Sequence, residues 1–212
     1  MNSHRSLVSI ILPTFNRAHI LPRAIDSVLR QTYADWELIV IDDGSTDGTE
    51  SLIDQYRILH QNIIYVKRPN QGPSASRNVG LEIARGVLTT YLDSDDAYEP
   101  QHVALRVAFL HEHPEVRFLH GGFRVIGEED RLFVPDKDDP ANLISIYDCI
   151  IGGTFFGYTE VFQSAGGWRG GYSEDSEFFG RITEKFAAQK VDFPTYLYYR
   201  DQTDSRCELT RM

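Results

Sequence analysis

Apolar positions along the first half of the chain follow one repeating rhythm. Short, nearly continuous β-branched runs, LVSIILP (7–13), WELIVID (36–42), NIIYVK (62–67) and VLTTYLD (87–93), are each followed by a longer segment with helical spacing. Continuous apolar runs predict strands buried on both faces, and their alternation with helices predicts a parallel sheet covered on two sides. The helical segments run from about Ala18 to Gln31, Thr46 to Leu59, Pro73 to Arg85 and Pro100 to His111. The expected class is α/β, a central, mostly parallel sheet flanked by helices. In such sheets ligands bind outside the carboxyl ends of the strands, where the polar loops PTFNR, DDGSTDGT and LDSDD all fall. These loops are expected to meet in one cleft.

After about residue 115 the rhythm changes. VRFLHGGFRVI (116–126) reads as one strand with a glycine-marked irregularity, and EEDRLFVPDKDD (128–139) as a solvated charged loop rather than a site. A helix is expected over Ala141 to Ile151, another from about Glu174 to Ala188, and a strand over Val191 to Tyr199. No repeat or linker interrupts the chain. It reads as one domain over 1–212, with residues 1–98 as a nucleotide-binding half and 99–212 as an acceptor and catalytic half that completes the cleft.

Composition narrows the function. The 212 residues carry 21 Lys+Arg against 31 Asp+Glu, a formal charge of −10, which argues against a nucleic-acid partner. No stretch reaches the roughly 18 to 20 apolar residues that span a bilayer. The two cysteines, Cys149 and Cys207, have no CxxC spacing, which suits a reducing compartment. The expectation is a cytoplasmic protein without a transmembrane segment, with peripheral contact at the inner membrane face left open.

Four groups of residues carry candidate chemistry. Asp42 and Asp43 end a strand: they either cap the next helix, as Ser45 or Thr46 could, or accept hydrogen bonds from a nucleoside. Arg77, one turn inside a helix opened by Gly72 and Pro73, either forms a surface ion pair or meets phosphate or base. The run YLDSDD places Asp93, Asp95 and Asp96 within four positions, a repulsion that requires a cation or hydrogen-bond donors nearby. As hard oxygen ligands, Asp93 and Asp95 suit Mn²⁺ or Mg²⁺ bridging to a diphosphate. Glu174 and Asp175 open a helix, where the dipole alone favours acids. A G-x-x-x-x-G-K-[ST] loop is missing, as is G-x-G-x-x-G after the first strand, and the seven histidines have no metal-ligand spacing.

Taken in order, VSIILPTFNR, ELIVIDDGSTDGT, NQGPSASRNVGLEIARG, YLDSDDAYEP, GGW and YSEDSEFFGR resemble the inverting glycosyltransferases of family 2, over nearly the whole chain. The resemblance implies the GT-A (nucleotide-diphospho-sugar transferase) fold, a nucleotide-diphospho-sugar donor, a UDP-sugar foremost, and a divalent cation, Mn²⁺ or Mg²⁺. It implies transfer with inversion to a hydroxyl of a glycan, lipid-linked or other acceptor. It gives Pro13, Phe15 and Asp43, with Asp42, to the base, Arg77 to base and phosphates, Asp93 to the ribose and metal, and Asp95 to the metal. Asp175 becomes the general base, with Glu174 as the alternative. One departure stands at the end, where the family's Tyr-Arg-x-His-x-x-Ser reads Tyr199-Arg200-Asp201-Gln202-Thr203-Asp204-Ser205. Gln202 replaces the His, so either Asp95 and the diphosphate hold the cation with help from Asp201 or Asp204, or metal affinity and activity are reduced. Two other readings compete: a sugar nucleotidyltransferase, which PTFNRAH does not favour because it lacks a glycine-rich triphosphate loop, and a non-catalytic nucleotide-sugar or glycan-binding module.

Overall fold

In the computed structural model, which describes residues 6–127, 132–136, 139, 141–171 and 173–200, the first apolar run is covered on both faces. All seven residues of β1 (Val8–Thr14) are buried, as are all seven of β2 (Trp36–Asp42). Strand β3 (Ile63–Lys67) pairs in parallel with β2, and β4 (Leu88–Tyr91) with β1. Four helices cross between or beyond these strands: α1 (Leu21–Leu29), α2 (Thr49–Leu59), α3 (Pro73–Ile83) and α4 (His102–Glu112). Side-chain alternation along β1 decides which helices each face meets. Ile10 and Leu12 pack in one cluster with Leu21, Ile25, Ile53 and Val103, whereas Ile11 packs in another with Leu81, Tyr91, Phe162 and Trp168.

Helix starts differ from the sequence expectation for a local reason. Neither Ser45 nor Thr46 caps α2. The Asp47 carboxylate accepts from the Thr49 N–H at 3.0 Å and from its hydroxyl at 2.5 Å, so the helix begins at Thr49. Ser45 is occupied elsewhere, its Oγ accepting from the Asn16 N–H at 2.8 Å. Asn16 holds φ 52° and returns the bond through Oδ1 to the Thr46 N–H at 2.8 Å. The loops after β1 and β2 are thereby laced together.

The second half of the chain completes the same sheet. After β5 (Ala97–Tyr98) come β6 (Phe118–His120), β7 (Phe123–Ile126), β8 (Phe133–Pro135), β9 (Leu143–Ser145) and β10 (Phe156–Tyr158). Helices α5 (Thr159–Ser164) and α6 (Glu174–Thr183) follow, then β11 (Ala188–Lys190) and β12 (Tyr196–Tyr199). The main sheet has seven strands in the order β11-β6-β10-β4-β1-β2-β3, with β10 antiparallel to both neighbours. A three-stranded sheet, β5-β12-β7, and the antiparallel pair β8-β9 stand beside it.

Several expectations for this half are corrected. The segment 116–126 is two strands in two sheets, not one. Gly121 and Gly122, at φ 83° and 71°, turn the chain between them, and a Cβ on Gly122 would stand 2.5 Å from the Phe193 carbonyl oxygen. The stretch 141–151 forms β9 and a short 3₁₀ turn, Ile146–Asp148, rather than a helix. Of the strand expected over 191–199 only Tyr196–Tyr199 forms one, as β12, while β11 ends before it at Lys190 and α6 ends at Thr183. Asp201, Gln202, Asp204, Ser205 and Cys207 lie outside the described residues. Among the described residues, no helix is long and apolar enough to cross a membrane.

Candidate functional site

A cavity of about 1290 Å³ opens where the strand ends meet. Pro13 and Phe15 line it from the end of β1, Asp43 from the end of β2, Ser76 and Arg77 from α3, Asp93 to Asp96 from beyond β4, and Glu174 and Asp175 from α6. Phe15 is 45% exposed at this mouth, an uncovered aromatic surface where stacking is available.

The two acids of DDGSTDGT separate. Asp42 is fully buried and is not among the cleft-lining residues; its carboxylate accepts from the Ser45 N–H at 2.7 Å and the Tyr65 hydroxyl at 2.6 Å. These two contacts brace the turn after β2. Asp43 does line the cleft and accepts from the Gln71 N–H at 3.0 Å and the Gly72 N–H at 2.7 Å. A carboxylate offers about four lone-pair sites, so Asp43 keeps acceptor capacity for a ligand.

Arg77 lies at the centre of the acidic wall. Its Nη1 donates to Glu174 at 2.8 Å and its Nη2 to Asp93 at 2.7 Å, with the guanidinium 4.6 Å from the Trp168 ring centroid. Burial disfavours its charge, yet Asp93, Asp175 and Glu174 hold it firmly protonated. The second Glu174 oxygen accepts from the Ser74 hydroxyl. Both Glu174 oxygens therefore tie the start of α6 to α3.

YLDSDD also divides its three acids. Asp96 turns inward, 1% exposed, accepting from the Tyr196 hydroxyl at 2.6 Å and the Tyr199 N–H at 2.7 Å. Burial, reinforced by Asp95 and Asp93, pushes its pKa well above the usual carboxylate range. Asp93 and Asp95 line the cleft. No three His, Cys, Asp or Glu side chains form a metal cage among the described residues. Two carboxylates still fit an ion such as Mg²⁺, which takes one or two from protein and the rest from phosphates and water.

Asp175, the next residue of α6, is only partly buried, and its Oδ2 accepts from the Gly152 N–H at 2.9 Å. Burial, with Asp93 and Glu174 adding repulsion, pushes its pKa up to about 6 against the opposing pull of Arg77. Gly152 is needed for this approach: a Cβ there would meet Asp175 Oδ1 at 2.5 Å. Gly152 belongs to the glycine-rich run IGGTFFG (151–157), whose sequence does not indicate its partner. Val134, Pro135 and Asp136 also wall the cleft, so the stretch read as a solvated loop contributes to the site, as do Ile144 and Ile151 from the segment expected to be a helix. Inside the cleft, the buried Thr14 Oγ1, Ser76 Oγ and Arg77 Nε have no hydrogen-bond partner among the described residues.

Residues 9–169 match the family model described as Glycosyl transferase family 2. The Escherichia coli protein named UDP-Glc:alpha-D-GlcNAc-diphosphoundecaprenol beta-1,3-glucosyltransferase WfgD is 35% identical over 123 residues, 57% of this chain and 47% of that protein. The chain spans between 14% and 51% of the length of the curated relatives it matches. Among solved structures, S. aureus TarS 1-349 in complex with UDP-GlcNAc superposes with a TM-score of 0.76 at 21% identity, over 96% of this chain and 60% of that one. Mannosyltransferase PcManGT from Pyrobaculum calidifontis, with GDP-Man and Mn²⁺, gives 0.75 at 21% identity over 99% and 61%. The fold is that of these GT-A glycosyltransferases.

Proposed function

The chain belongs to glycosyl transferase family 2, and on that premise we propose that it forms one domain that transfers a sugar from a nucleotide-diphospho-sugar, UDP-linked, to an acceptor hydroxyl with inversion. One observation carries this reading: Asp175, with its pKa raised to about 6, lines the same cleft as Asp43, Arg77, Asp93 and Asp95. Phe15 and Pro13 offer an apolar wall to the base, and Asp43 accepts a hydrogen bond from it. Arg77 sets Asp93 toward the ribose and, through Glu174, fixes the start of α6. Asp95, with Asp93, would hold Mn²⁺ or Mg²⁺, which when bound neutralises diphosphate charge.

Asp175 takes the proton from the acceptor hydroxyl as its oxygen bonds to the anomeric carbon and the bond to the diphosphate breaks. Attack opposite the leaving group in a single displacement inverts configuration. A pKa of about 6 leaves the carboxylate ionised at neutral pH while keeping it more basic than an ordinary Asp. WfgD is named for a UDP-sugar donor, in keeping with the donor proposed. Incubating the protein with UDP- and GDP-sugars and Mn²⁺ tests the reading: release of free nucleoside diphosphate supports it, and binding without turnover in the presence of saccharide acceptors points to a non-catalytic module.

A further inference from the structure

A second cavity, of about 560 Å³, adjoins the donor cleft and shares residues 148–151 with it. Resting on the glycosyltransferase reading, we propose that this cavity is an acceptor subsite that binds a neutral sugar unit beyond the one that reacts.

Its lining is that of a carbohydrate site. Tyr147 stacks on Phe123 with ring centroids 5.3 Å apart and planes 15° apart, and Tyr147 is 47% exposed. An aromatic face carries negative quadrupole density, which attracts the C–H face of a pyranose. Hydroxyl groups donate and accept, and the remaining walls answer both needs. Lys190 donates, Asp192 accepts, and His120, kept neutral by burial and by Lys190, can do either. With Asp148 and Asp192 against Lys190 alone, the cavity has no cationic excess to favour a phosphate or another anion. Its volume lies within the range of small-molecule sites.

The position also suits an acceptor. Gly152, whose N–H holds Asp175 at 2.9 Å, directly follows the shared segment. A saccharide lying along 148–151 would thus have one unit in each cavity and its reacting hydroxyl beside the base.

Saturation-transfer NMR tests this with glucose, galactose, N-acetylglucosamine, cellobiose, lactose and chitobiose as probes, in the presence of UDP and Mn²⁺ to fill the donor cleft. At least one disaccharide should bind more tightly than its monosaccharide, and Tyr147→Ala should weaken it about three- to tenfold, the worth of one aromatic contact. Asp192→Ala, at an exposed position, should weaken it as well. Both variants should retain thermal stabilisation by UDP. The subsite is overturned if no probe binds, if binding survives both substitutions, or if UDP displaces the saccharide, while UDP still stabilises the protein. Absence of any nucleotide stabilisation would overturn the glycosyltransferase reading itself, and this inference with it.

Discussion

Arg77 donates from Nη1 to Glu174 Oε1 at 2.8 Å, joining side chains 97 positions apart at the floor of the cleft. Its other terminal nitrogen reaches Asp93, so one buried cation fixes the acidic loop after β4 and the first turn of α6. Removing it leaves the buried Glu174 and the partly buried Asp93 without their counter-charge, and a broken buried pair of the Glu174 kind costs about 3–5 kcal/mol. Arg77→Ala should lower the melting temperature sharply and abolish nucleotide stabilisation. Arg77→Lys should recover little, because a single ammonium cannot reproduce the two-pronged contact. Calorimetry with and without UDP checks both variants.

Asp175→Asn preserves shape and removes the proposed base. Transfer should fall by about 10²- to 10⁴-fold, the usual worth of a positioned general base. Stabilisation by UDP and Mn²⁺ should change little, since that binding is assigned to Asp43, Arg77 and Asp95. Near-normal transfer in Asp175→Asn would remove the residue from its role.

The pH dependence has two readouts with opposite senses. Catalysis requires ionised Asp175, so kcat/KM should rise with pH through about 6, and this limb should vanish in Asp175→Asn. Stability goes the other way. A carboxyl whose folded pKa is raised contributes its full stability below the ordinary value of 3.8 and loses it as pH rises through about 6. Relative to wild type, Asp175→Asn should therefore gain thermal stability between about pH 4 and pH 7.

Gly152→Ala should disturb the base without touching the nucleotide. The added Cβ would stand 2.5 Å from Asp175 Oδ1 and 2.5 Å from the Trp168 ring, so the carboxylate must shift. Misplacement by about 1 Å can cost about 10²-fold in rate. The expected result is a fall in kcat with nucleotide affinity retained.

Mn²⁺ or Mg²⁺ should be needed for most of the stabilisation by UDP. At about 100 times its dissociation constant, the ligand should add roughly 2.7 kcal/mol. EDTA should remove most of that increment, and Asp95→Asn should make the response insensitive to metal. Thermal shifts across a Mn²⁺ titration check this, and a metal response unchanged in Asp95→Asn would move the ligand role to another residue.

The sequence by itself determined the layered core and the place of the cleft. Uninterrupted apolar runs such as SIILP can be buried only between two layers of helices, and the polar loops that end them must then gather at one edge of the sheet. Local pattern failed where partners are distant. Nothing in IGGTFFG announces that Gly152 must admit Asp175, and nothing in HGGF shows that the two glycines pass the chain from one sheet to another. Acids that look alike in sequence were sorted only by tertiary contacts. Asp42 went to Tyr65 and Asp96 to Tyr196, while Asp43, though held by the backbone ahead of α3, stayed on the cleft with Asp93, Asp95 and Asp175. Hydrophobic periodicity is a local property that fixes which face of an element is buried. The role of a carboxylate depends on which donors and charges surround it, and those come from chain segments that only the fold brings together.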